Sequence, residues 1–219
     1  MRDHKAEPWC GRGQMFPCFV GRGIAVVNHA DHGTTASSFY NKGLLNGILA
    51  MLKENDYVFL QFGHNDQKCQ GDFISVYKES LMGCVQCIQH CGAIPLIVTP
   101  VQRGFFNKDG SIKNTLGDIP NAAWEVATRC GVDCIDLTKR STEYLVQLGR
   151  DRARMIFVNA PAGQWPSHPD GIKSHSHHTM RGAYEMAKCV AKELKQLARP
   201  LSQFIEDVPP MDLSPGPWP

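Results

Sequence analysis

The 219-residue sequence contains no long apolar run. None approaches the ~18 residues that a membrane-spanning helix requires, so no such helix is expected. Clusters of like charge are also missing. Lys and Arg number 23 against 21 Asp and Glu, for a formal net charge of +2, and this balance argues against nucleic acid as the main partner. The opening residues, Met1-Arg2-Asp3-His4-Lys5, lack the apolar stretch of a secretory leader, which makes a cytoplasmic location the expectation. No internal repeat is visible, and no break in composition marks a second domain.

What remains is the make-up of a soluble α/β domain of ordinary size, with 42% hydrophobic and 20% charged residues. Nine cysteines form an odd set. Cys84, Cys87 and Cys91 share a helical spacing, which allows either a metal or redox site or a row of small buried thiols.

Short apolar runs alternate with helical patterns along the chain. Strands are expected at 24–30, 57–62, 93–99 and 132–137. Helices are expected at 37–53, 76–90, 120–130, 141–148 and 181–197, with Gly92 closing the second. Such alternation gives a parallel sheet covered by helices, a three-layer α/β/α flavodoxin-like fold. Residues 1–200 form a single domain in this reading. The remainder, 201–219, is a Pro-rich tail, disordered from Pro209 onward.

Three clusters fall at strand ends or helix starts. Tyr57–Phe62 runs into Gly63-His64-Asn65-Asp66. An apolar strand that stops at Gly and presents an amide and a carboxylate suits a site at the edge of a parallel sheet, where an Asn NH2 can donate to a developing oxyanion. A strand-end Asx turn is the alternative. Asn28-His29-Ala30-Asp31-His32-Gly33 follows the first apolar run, and Gly33 lets its backbone N–H approach a ligand closely; a plain turn is the alternative there. The third cluster is Ser167–His178, with four of the nine histidines. It suits a general base with a tautomer-fixing neighbour, a zinc site built on His175, His177 and His178, or solvated loop histidines.

Taken together, the blocks Asn28-His29-Ala30…Gly33, Gln61-Phe62-Gly63-His64-Asn65-Asp66, Val98-Thr99-Pro100-Val101 and Pro169-Asp170-Gly171…His177…Arg181-Gly182-Ala183 resemble the SGNH (GDSL-type) hydrolases. The rhamnogalacturonan acetylesterase-like branch is the most similar, over about residues 7–197. The resemblance implies a carbohydrate O-acetylesterase that needs no cofactor or metal. A Ser would attack an acetyl ester and His177 would take its proton. The Gly33 N–H and Asn65 side chain would hold the oxyanion, with His64, Asp66 and Asp170 in support. The substrate would be an acetylated carbohydrate or small ester, with no nucleic acid and no membrane as partner. Trp9, Phe105, Phe106 and Trp165 are candidates to stack on sugar rings.

Two departures accompany the resemblance. The family's Gly-Asp-Ser block, on the first central strand, has no counterpart in the sequence. The nucleophile is therefore expected upstream of Met1, with either a longer natural product or another segment filling the strand's slot. Ser174 stands where the family carries the Asp that holds the catalytic His, and Asp170 is a substitute at a different spacing. The expectation is an impaired esterase. The alternatives are a catalytically inactive relative that binds glycans or proteins, and a metal-binding protein built on the His168–His178 cluster.

Overall fold

The computed structural model describes residues 8–207. Asp3, Glu7 and the Pro209–Pro219 stretch lie outside the described residues. The described residues divide into two compact units, one comprising 29–102 and 114–140 and the other 8–28, 103–113 and 141–207.

The first unit carries the parallel sheet. Strands β1 (Tyr57–Leu60), β2 (Ile94–Val98) and β3 (Asp133–Ile135) lie in the order β1-β2-β3. Tyr57 is opposite Ile94 and Leu60 opposite Ile97, while Leu96 is opposite Asp133 and Val98 opposite Ile135. The helices Phe73–His90 and Ile119–Cys130 make the crossovers. The first of these buries Tyr77, Leu81, Cys84, Val85 and Ile88, the three-and-four spacing of a single face. Asp72 caps its start by accepting the Ser75 N–H, and Gly92 turns left-handed (φ +74°) after its end. The core joins this face to Leu60, Ile97, Ile119, Val126 and Phe39. The expected α/β architecture with a parallel sheet is thus present.

The second unit contains a feature that apolar patterning did not reveal. Strands β4 (Phe157–Ala160) and β5 (Ile172–His178) form an antiparallel hairpin, with Phe157 opposite His178 and Ala160 opposite Ile172. The β5 sequence, Ile-Lys-Ser-His-Ser-His-His, has one apolar residue and so no alternating signal. The helix Met180–Gln196 follows, burying Ala183, Ala187, Val190, Ala191 and Leu194. Thr179 caps it by accepting the Gly182 N–H. A Cβ on Gly182 would collide with the Ile156 carbonyl oxygen, so only glycine permits this approach.

Four expectations require correction. Residues 24–30 form no strand, and Val27 is 69% exposed; apolar composition favours extension, but a strand also needs a ladder partner. The expected 37–53 helix is two short helices, Ala36–Asn41 and Leu44–Leu49, because Gly43 between them is left-handed. The 141–148 helix spans Leu137–Ala153, with a break at Gly149. The segment set apart as tail is packed in its described part: Leu201 and Ile205 are buried, and Ile205 bridges Val20.

Candidate active site

The loop after β1 is organised by one carboxylate. Asp66 is 3% exposed; its Oδ1 accepts the Ala36 N–H at 2.9 Å and its Oδ2 accepts the Gly63 N–H at 2.9 Å. Burial raises its pKa, and the backbone N–H bonds oppose that rise. Gly63 sits at φ +132°, where a Cβ would come within 2.6 Å of Ile119 Cγ2. The strand therefore turns into the loop only at glycine. His64 is half-buried between Gly63 and Asn65.

Asn65 is oriented by two bonds of opposite sense. Its Oδ1 accepts from Lys68 Nζ at 2.8 Å, and its Nδ2 donates to the Thr34 carbonyl at 3.2 Å. That second bond ties Asn65 to the residue after Gly33. Gly33 is exposed and left-handed (φ +77°), with no atom within 4 Å of where a Cβ would lie. Gly33, Asn65 and Asp66 are thus gathered into one loop cluster. Ser38 and Thr35 cap each other's backbone at 2.9 Å, and Ser37 Oγ accepts from Asn41. Both serines are therefore committed to the start of the Ala36–Asn41 helix.

In the second unit, His177 lies on β5 and is exposed, while Ser174 is 7% exposed. The hairpin turn places Gly171 at φ +80°, with the Ala160 carbonyl oxygen 2.7 Å from where a Cβ would be. Ser174 Oγ is 3.0 Å from His177 Nδ1. The same oxygen accepts the backbone N–H of His177 at 2.8 Å and of Ser176 at 3.2 Å. A hydroxyl has two lone pairs and one proton. With both lone pairs engaged, the hydroxyl is placed to donate to Nδ1, an arrangement that suits the tautomer with its proton on Nε2. Asp170 is exposed on the turn and does not take this position. The Trp9 ring lies 5.1 Å from the His177 ring and 4.9 Å from that of His168, and the Cys10 N–H donates to the His178 carbonyl at 2.9 Å. This bracing of the histidine strand by Trp9 carries no periodic signal in the sequence.

The three histidines weighed as zinc ligands do not converge. His178 stacks on Phe157 at 5.1 Å, His175 contacts Phe105 at 4.4 Å, and His177 bonds to Ser174. Among the described residues, no group of three or more His, Cys, Asp or Glu side chains is placed to hold a metal. The cysteines are unbridged. Cys84 and Cys134 are buried, and burial pushes both thiols up to about 12.

No family profile matches the chain. It is 35% identical over 203 residues to the rhamnogalacturonan acetylesterase RhgT of Bacillus subtilis (strain 168), covering 92% of this chain and 87% of that protein. It is 31% identical over 200 residues to the probable rhamnogalacturonan acetylesterase YesY of the same organism, covering 89% and 88%. Among solved structures, the crystal structure of protein YxiM from Bacillus subtilis superposes with a TM-score of 0.74 at 25% identity, over 88% of this chain and 52% of that one.

Proposed function

The chain belongs to the rhamnogalacturonan acetylesterase branch of the SGNH hydrolases, and from that premise we propose that it acts on acetyl esters of a pectin-type glycan, with Asn65, Gly33 and His177 as the working groups. The observation that carries this reading is the relationship to an acetylesterase over 92% of the chain, a span that includes most of both loop clusters. In the proposed reaction a serine oxygen adds to the acetyl carbonyl as His177 takes the serine proton. The tetrahedral oxyanion receives hydrogen bonds from the second Asn65 amide hydrogen and the Gly33 N–H. Collapse expels the sugar hydroxyl, and water then releases acetate. Ser37 and Ser38 serve a helix cap and Ser174 serves Nδ1, so none of these three is the nucleophile.

Turnover is limited by Ser174. A proton on Nε2 is the wrong tautomer for a base that must accept at Nε2. On a different fold, loss of the orienting carboxylate costs about 10^4 in turnover for the same reason. Release of acetate from acetylated rhamnogalacturonan, measured for the chain carrying an added N-terminal Gly-Asp-Ser strand and for its His177→Ala and Asn65→Ala variants, tests the reading. Losses of about 10^2–10^3 are expected, and release that neither substitution alters would overturn it. The Ser174 geometry also favours a second reading, in which the glycan is bound without turnover. Saturable binding by calorimetry, with acetate released at the uncatalysed rate, would establish that reading.

A further inference from the structure

Asn65 caps a single 3-10 turn, Asp66–Lys68, and Lys68 ends it. In such a turn side chains three residues apart eclipse one another, which brings the lysine stem over the asparagine. Two bonds then join the pair. The Asn65 carbonyl accepts the Lys68 N–H at 3.0 Å, and Asn65 Oδ1 accepts from Lys68 Nζ at 2.8 Å. The Cys69 thiol adds a weak third contact, 3.9 Å from the Asn65 carbonyl oxygen.

The two charges of the turn face different partners. The Asp66 carboxylate is 3% exposed and is occupied by the Ala36 and Gly63 N–H groups. Lys68 is exposed, and among the described residues its ammonium makes no ion pair; its contact is Asn65 Oδ1. The sense of the Asn65 amide does not require this contact. The Thr34 carbonyl only accepts, so it already selects Nδ2, at 3.2 Å. What the lysine adds is charge. An ammonium on Oδ1 draws electron density from the amide and makes both Nδ2 hydrogens stronger donors. One of these hydrogens is committed to Thr34, and the other is the donor assigned above to the oxyanion.

We propose that Lys68 is a positioning residue that acts through Asn65, polarising its amide toward the charge that develops in the transition state. This role rests on the acetyl-ester reading, in which Asn65 meets the oxyanion. Its size follows from two magnitudes. An oxyanion donor is worth about 10^2–10^3 in kcat, and a neighbouring bond strengthens a hydrogen bond by about 10–30%. Together they give Lys68 an effect of about 2–8-fold. Water competes for the exposed ammonium, so the lower part of that range is expected.

The test reads the Asn65 amide in the isotope-labelled 219-residue chain, and so needs no turnover. In Lys68→Met, which keeps the stem and removes the charge, the Asn65 Nδ2 proton resonances are expected to move upfield. Lys68→Arg, which keeps a cation, is expected to hold them near their original positions. The Ala36 and Gly63 backbone amides, held by Asp66, are expected to stay in place in both variants. In the protein carrying the added Gly-Asp-Ser strand, Lys68→Met is expected to lower kcat for acetate release about 2–8-fold at unchanged KM. It is expected to add no further loss once Asn65 has been replaced by Ala. Asn65 resonances that Lys68→Met leaves in place would overturn the role. So would Ala36 and Gly63 amides that move with them, or a full Lys68→Met loss in the Asn65→Ala background. Resonances that move as expected while Asn65→Ala leaves acetate release unaltered would overturn the acetyl-ester reading itself, and with it the part of Lys68 in turnover.

Discussion

The Asn65 loop and the His177 strand are each built around one buried oxygen-bearing side chain that accepts two backbone N–H groups. In the Asn65 loop that side chain is the Asp66 carboxylate, which accepts from Ala36 and Gly63. On the His177 strand it is the Ser174 hydroxyl, which accepts from Ser176 and His177. The carboxylate has lone pairs to spare and no proton to place. The hydroxyl has neither advantage: once its two lone pairs are used, its proton is left facing Nδ1. An anchor therefore does more than hold a loop. It also sets the proton inventory of the group beside it, and the same two backbone bonds leave one loop chemically neutral and the other committed to a tautomer.

The comparison breaks most sharply at Ser174→Asp. A carboxylate there accepts both backbone N–H groups and the Nδ1 proton together, moving the imidazole proton off Nε2. In the protein carrying the added Gly-Asp-Ser strand, acetate release is expected to rise, by up to about 10^4, and 15N chemical shifts of the His177 ring should show the exchange of tautomers. A rise in turnover without the nitrogen signature would separate the two halves of that argument.

Asp66→Ala comes next. It orphans two buried N–H groups, each costing about 1–3 kcal/mol, a large part of a typical total of ~5–15 kcal/mol. The urea midpoint should fall accordingly. Because the folded pKa of Asp66 lies above its ordinary value, its titration adds stability that is complete below the unfolded pKa and is lost as pH rises through the folded one. The gap between wild type and Asp66→Ala should narrow across that interval. A gap that widens would show that the carboxylate gains more from its N–H bonds than burial costs it.

Gly63→Ala places a Cβ 2.6 Å from Ile119 Cγ2 at φ +132°, and a loss of about 1–3 kcal/mol is expected from the same denaturation curves. Ser174→Ala is milder. It leaves two partly exposed N–H groups to solvent and should cost about 1 kcal/mol, while freeing the His177 tautomer to be read by 15N shift. The smallest effect concerns the thiols. Cys18 and Cys69 are exposed, whereas Cys84 and Cys134 are buried with pKa values pushed up to about 12. Iodoacetamide at pH 8 should label the first pair and reach the second only on unfolding, as read by mass spectrometry.

The same contrast governs what could be read in advance. Helix Phe73–His90 and strands β1 and β2 were legible because apolar period and burial coincide in them. Strand β5 was not, since its hairpin rests on Gly171 and on backbone pairing with β4, and its side chains are Lys, Ser and His. Residues 24–30 show the converse, an apolar run without a ladder. Of the proposed site, Asn65, Gly33 and His177 were singled out by chemistry and resemblance. The bracing role of Asp66 depends on contacts thirty residues apart, and no local pattern reports it. Ser174 could be singled out from the resemblance, but the way its oxygen is shared emerges only once the two backbone N–H donors are counted.

The Asp66 carboxylate has one further consequence, for the timing of local opening. Its two oxygens hold amides at the start of the Ala36–Asn41 helix and at the end of β1. Neither amide can be released without disturbing the acceptor of the other, so the two segments open as one cooperative unit. In deuterated solvent the Ala36 and Gly63 amide hydrogens should show a common protection factor, although 27 positions separate them in the sequence.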